Sequence, residues 1–390
     1  MLSIFLVVLV NLIGFGIVIP LLPFYAERFG ADAFAIGLLM AAYSLAQLIA
    51  TPLWGRISDS RGRKPVLLIT LGGTVLAYLW LAYAESLTAL FAARIFGGLM
   101  AGNISAAFAY VADITIRENR ARGMGLVGAA FGLGFIAGPA IGGVLAGADP
   151  ATADFRSPGL AAAALSAIAL VLTVVILRES RKPGQAPADA GSRHPILRRP
   201  ALALPIALIF LSTFVFAGME ATFALWSAQQ FGWGPLENGY LFASVGLASA
   251  VFQGGVVGHL TRRFGERRLV SVGAVALAFG LFMLPFSSTL GLLALAMGSL
   301  VFGFSMVTPA LSALVSLAAG EDEQGAALGI SRSGATLGRV LGPAWAGFLF
   351  EHAGRAWPYW AGALVMAGVS LLAARLARPS RAEAPASGKA

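Results

Sequence analysis

Gly55-Arg56-Ile57-Ser58-Asp59-Ser60-Arg61-Gly62-Arg63-Lys64 lies between two long apolar segments, and a stretch of the same build returns 203 positions later as Gly258-His259-Leu260-Thr261-Arg262-Arg263-Phe264-Gly265-Glu266-Arg267. Gly55 and Gly62 fall on Gly258 and Gly265 at the same spacing. A polar decapeptide repeated between apolar runs implies two copies of one membrane-embedded half. The copies differ in charge, because Arg262 stands where the first copy has Asp59.

Composition agrees. Hydrophobic residues make up 58% of the 390 and charged residues 12%, with a mean hydropathy of +0.82. Soluble domains carry roughly 25% charge, so the chain reads as a bundle of bilayer-spanning helices. The absence of cysteine excludes disulfides and thiolate metal sites. A net charge of +9 does not point to nucleic acid here, because the charges sit in short loops between apolar spans.

Crossing the hydrocarbon core takes about 20 apolar residues. Twelve such stretches are present, near 2–24, 34–54, 65–84, 87–111, 123–146, 158–177, 201–226, 236–257, 269–287, 290–317, 325–349 and 357–377. The first has no basic lead and no small-residue cleavage site, so it is read as a span rather than a signal peptide. With both ends of the chain placed inside, the inner loops and tail hold 21 of the 27 basic residues. The outer loops hold only Arg28, Arg156 and Arg355, an asymmetry that orients the chain with its termini cytoplasmic. Arg94, Arg332 and Arg339 fall inside spans.

The expected organisation is a six-helix bundle over 1–177, a basic Pro/Gly/Ala-rich linker over 178–200, a second bundle over 201–378 and a disordered tail over 379–390. The fold class is all-α: twelve transmembrane helices in two pseudo-symmetric bundles. Span five contains Gly132, Gly134, Gly138, Pro139 and Gly142, and Gly134, Gly138 and Pro139 recur in span eleven as Gly338, Gly342 and Pro343. Glycines four apart line one helix face and admit a close neighbour. A proline removes a backbone donor and permits a bend. The duplicated pattern is expected to form a moving interface between the halves.

These residues carry a resemblance. The chain resembles the major facilitator superfamily, and within it the twelve-span drug/proton antiporter branch near the tetracycline exporters. Gly55 to Lys64 matches that family's motif between spans two and three, Arg94-Ile95-Phe96-Gly97-Gly98 its arginine motif in span four, and Gly132 to Gly143 its antiporter motif in span five. The resemblance covers essentially the whole chain. It implies secondary active export by alternating access at a bacterial inner membrane, with a small hydrophobic or amphipathic cargo, protons and membrane lipid as partners, and a monomeric state. Uniport or carriage of an anionic, zwitterionic or lipid-like metabolite remains an alternative, as does a non-transporting sensor or assembly factor. No cofactor, metal or enzymatic activity is expected, since no span carries a nucleophile–base or metal-ligand cluster.

The resemblance also implies a latch. Asp59, framed by Gly55, Arg61, Gly62 and Arg63, would sit at the start of span eleven, where a helix N-terminus attracts an anion. Asp113 would pair with Arg117, with Arg120 or with an arginine of the loop motif. Coupling falls to the ionisable groups inside spans, which are costly to bury. Glu220 lies about 28 Å along span seven and Arg339 about 21 Å along span eleven, so their depths overlap. Glu220 is expected either to exchange a proton or cargo against its arginine or to form a fixed ion pair. Arg332 lies on the same face of span eleven, and Arg94 joins the coupling set through the family motif. Tetracycline exporters carry aspartates in spans one and three, and here those positions are Asn11 and Ala77. Asn11, Tyr43, Gln47 and Asn103 are expected to form a polar cavity floor, and Phe15, Phe131, Phe216 and Phe242 its apolar walls.

Overall fold

The computed structural model describes residues 1–116, 119–180, 196–320 and 323–376. Arg117, most of the linker and the tail lie outside the described residues. Regular structure is helical throughout the described residues. In chain order the helices are α1 (Leu2–Arg28), α2 (Ala33–Arg61), α3 (Arg63–Ala82), α4 (Leu87–Ile114), α5 (Gly123–Ala146), α6 (Arg156–Ile176), α7 (Pro200–Phe231), α8 (Pro235–Phe264), α9 (Glu266–Phe286) and α10 (Leu290–Ala318). They are followed by α11 (Gln324–His352) and α12 (Trp357–Ala373). All twelve expected spans are helices, and α1 to α6 and α7 to α12 form the two bundles.

The decapeptides are where expectation and structure part. Read as loops, they are mostly helix: α2 runs through Arg61 and α8 through Phe264. The whole turn in each half is made by one glycine, Gly62 at φ 102° and Gly265 at φ 79°. That backbone region is open to glycine at no steric cost, so the polar residues extend the helices instead of forming a loop. Three spans carry interruptions. α1 passes through a 3-10 turn at Ile19–Leu21. α4 breaks at Met100–Gly102 between Leu87–Leu99 and Asn103–Ile114. α8 contains a π-helical turn at Phe252–Val256.

Two main inter-bundle crossings join the halves, α2 with α11 and α5 with α8, with smaller contacts of α7 and α8 against α1 and α2 among the described residues. They touch at the end opposite the decapeptides, here called the far end. There a Cβ at Gly37 would collide with the Pro343 carbonyl and one at Gly347 with the Ala33 backbone. The symmetric contacts set Gly239 against the Pro139 carbonyl and Gly143 against Pro235. Two hydrogen bonds cross the same seam: Ala33 N donates to Glu351 Oε2 at 3.1 Å and Leu236 N to the Gly147 carbonyl at 3.2 Å. The buried apolar core is continuous across this end, running from Ile17 and Leu21 through Phe223 and Trp226.

At the decapeptide end the N-terminal bundle keeps its own core around Ile4, Leu67, Val111 and Val127. A Cβ added at Gly125, Gly128 or Gly132 of α5, Gly254 or Gly255 of α8, or Gly325 or Gly329 of α11 would meet nothing within 4 Å. The bundles are therefore packed at the far end and open around these glycines toward the decapeptide end, where Arg332 of α11 over Phe108 of α4 still links them.

The duplicated glycine pattern does not face this interface. Gly134, Gly138 and Gly142 pack against Leu12, Gly16 and Ile17 of α1, and Gly338 and Gly342 against Phe210, Phe214 and Gly218 of α7. The expectation of a moving glycine face is corrected accordingly: those glycines hold helices together within each bundle. The prolines reach the seam through their carbonyls. Pro139 also has no N–H for the Phe135 carbonyl one turn earlier, and a Cβ at Gly246 of α8 would lie 2.9 Å from that oxygen.

Candidate transport pathway

Small residues place the centre of the pathway. Gly97 and Gly98 let α4 approach α2 so closely that a Cβ at Gly98 would strike the Tyr43 carbonyl. This puts Arg94 against Tyr43, with the guanidinium carbon 4.3 Å from the ring centroid. Arg94 is 5% exposed and does not snorkel, and its Nε has no hydrogen-bond partner among the described residues. A cation over an aromatic face keeps part of the stabilisation lost with water. Phe15 covers Tyr43 at 5.5 Å and meets Phe135 edge-on at 6.1 Å.

The C-terminal bundle faces this cluster with α11. The charge of Arg339 reaches Tyr43 on α2 and Glu220 on α7. Glu220 is half-buried and makes no ion pair within 4.0 Å among the described residues. The expected Glu220–Arg339 pair is therefore a through-space interaction rather than a bonded one, and Arg339 is exposed. Two turns earlier on α11, Arg332 is also exposed, and its guanidinium carbon lies 4.3 Å from the Phe108 ring centroid on α4.

The remaining cavity residues separate. Gln47 sits one turn beyond Tyr43 and is half-buried, and Asn103 is buried just after the α4 break. Asn11 is corrected: it is buried in the α1–α6 contact, where Ser166 Oγ donates to its Oδ1 at 3.3 Å. Phe131 packs against the core of the N-terminal bundle. Phe216 stacks on Phe304 of α10 at 4.0 Å, and Phe242 meets Phe223 of α7 edge-on at 5.8 Å. These three aromatics pack helices within a bundle.

At the decapeptide end Arg63 is the hub. Its guanidinium bonds Asp59 at 2.6 Å, Asp113 at 2.9 Å and Ser58 at 3.1 Å, which joins α2, α3 and α4. Of the partners considered for Asp113, the structure selects this loop-motif arginine, and Ser180 Oγ donates to the same carboxylate at 3.1 Å. Glu179 was not anticipated. Its carboxylate accepts from the Arg63 and Lys64 amides at 2.9 and 3.0 Å, an anion on the N-terminus of α3. Arg61 is exposed at the last turn of α2, and Gly55 faces open space.

Two like bundles meeting at one end around a charged centre define a membrane carrier of the alternating-access class. Comparison with known proteins agrees. The family model of the Major Facilitator Superfamily matches residues 4–263 and again 228–390, and the chain belongs to that family. It is 33% identical over 345 residues to the class C tetracycline resistance protein of Escherichia coli, covering 86% of each chain. It is 31% identical over 362 residues to multidrug resistance protein 2 of Bacillus subtilis (strain 168), covering 90% of this chain and 89% of that one. Among solved structures it is similar to the human organic anion transporter MFSD10 (TETRAN), with a TM-score of 0.71 and 27% identity over 95% of this chain and 98% of that one.

Proposed function

We propose that this protein is a proton-coupled exporter of amphipathic small molecules in a bacterial inner membrane, with its termini and decapeptides on the cytoplasmic side. Resistance proteins for tetracycline and for multiple drugs among its relatives support export. With the decapeptides inside, the arrangement is inward-open and ready to take cargo from the cytoplasm. The observation that carries the coupling is Glu220 itself, a half-buried carboxylate inside α7 with no ion pair within 4.0 Å among the described residues and within electrostatic reach of Arg339. A carboxylate without a bonded cation, facing an arginine, changes the local charge balance when it gains or loses a proton. Asp59 is held by Arg63 in this state. On inward closure it is placed to meet the N-terminus of α11, a contact on the order of 1 kcal/mol.

The test uses full-length protein in liposomes with a pH-sensitive dye inside and an imposed proton gradient. Cargo-dependent proton movement in the wild type and its loss in Glu220→Gln is the expected result. A Glu220→Gln protein that still moves protons with cargo overturns the coupling role.

A further inference from the structure

The named cargoes of the relatives differ in chemistry, so the charge this chain accepts is argued from its own residues. Arg332 sits in the third of α11 nearest the decapeptide end, exposed between the bundles, with no ion-pair partner among the described residues. Its guanidinium lies over Phe108 of the opposite bundle at 4.3 Å. A stacked guanidinium keeps its in-plane N–H donors directed outward, the geometry that receives a carboxylate, sulfonate or phosphate. The glycines nearby on α11, Gly325 and Gly329, leave open space toward the decapeptide end.

We propose that Arg332, steadied by Phe108, binds the anionic group of an amphiphilic cargo entering from the decapeptide end. This rests on the transport function proposed above and adds the cargo's charge and the residue that selects it. Arg339 lies seven residues further, about 10 Å at 1.5 Å per residue. That separation leaves the Arg339–Glu220 interaction to the proton while the cargo's anion occupies Arg332. The apolar body of the cargo then lies along the Phe108 side of the space between the halves.

The experiment uses three naphthyl compounds of equal body, carrying a sulfonate, an uncharged amide or a trimethylammonium group. Binding is measured to full-length protein in nanodiscs of zwitterionic lipid, and flux in proteoliposomes. The sulfonate is expected to bind at least tenfold more tightly than the trimethylammonium compound. Arg332→Gln removes that preference while uncharged binding persists, which also reports that the variant is folded. Arg332→Lys, which keeps the charge but not the planar fork, restores part of it. A sulfonate preference unchanged in Arg332→Gln, or a wild-type preference for the cation, overturns the proposal. Transport of the uncharged or cationic compound without the sulfonate overturns this inference and leaves the transport reading standing. Failure of all three to bind or move overturns both.

Discussion

Asp154 shows how one side chain sets a local pH response outside the spans. It precedes α6 and accepts from the amides of Arg156 and Ser157 and from the Ser157 hydroxyl. The Ser157 hydroxyl, the largest effect, holds its carboxyl below the usual range; burial, the next largest, opposes it, and the two amides and the Arg156 charge add to the lowering. A lowered folded pKa means the ionised form stabilises the fold above the ordinary carboxylate range, and that contribution is lost as pH falls through the lowered value. Asp154→Ala is expected to cost about 0.5 kcal/mol at neutral pH, the low end for an exposed cap. The gap in thermal midpoint from wild type is expected to narrow on acidification, and a constant gap would show that the carboxylate's charge is not involved. At this scale the loop motif makes an arginine partner for Asp113 legible, and Arg63 supplies it. Asp59, expected at the start of α11, is instead held by Arg63 four residues on, across the Gly62 turn. Arg332 and Phe108 are more than two hundred residues apart in opposite bundles, and no local pattern announces them. Asn11 misleads for a related reason: polarity within a span marks it, but only the neighbouring helix tells whether it faces a cavity or Ser166.

At the scale of elements, Arg63 fixes the relation of α2, α3 and α4 at the decapeptide end. Arg63→Gln breaks hydrogen bonds to two carboxylates and leaves both beside a neutral amide. The expected loss is about 2 kcal/mol, since charged hydrogen bonds are worth roughly 1.5–3 kcal/mol and partial exposure of Asp59 and Asp113 moderates it. It is read as a lower thermal midpoint in detergent, and Asp113→Asn is expected to show a smaller loss of the same sign. The second copy has Arg262 at the position of Asp59, so no equivalent clamp is expected there. The twelve helices were legible because twenty apolar residues have few other uses. The facing of α5 and α11 was not, because a run of glycines permits close approach without naming the partner. Two helices compete for each of them, α1 and α8 for α5, and the glycines four apart face the partner in the same bundle.

At the scale of the whole molecule, the far end is closed largely by backbone. Gly37 against Pro343, Gly347 against Ala33, and Gly143 and Gly239 against each other and Pro139 leave no room for a single methyl group. When the halves separate at this end, those positions become unconstrained. A methyl added there is therefore tolerated in one state and penalised in the other. Gly37→Ala is expected to disfavour the far-closed state by about 1–3 kcal/mol, which corresponds to about a 5- to 150-fold change in the ratio of the two states. The chain has no cysteine, so spin labels on introduced cysteines at the two ends of α2 and α11 report the shift directly. The far-end distance should lengthen in Gly37→Ala and the decapeptide-end distance shorten, and unchanged distances would show that the seam relaxes around the methyl. The same packing makes residue volume at the seam a thermodynamic dial: one carbon atom, far from cargo and proton, sets which side of the membrane the empty carrier waits on.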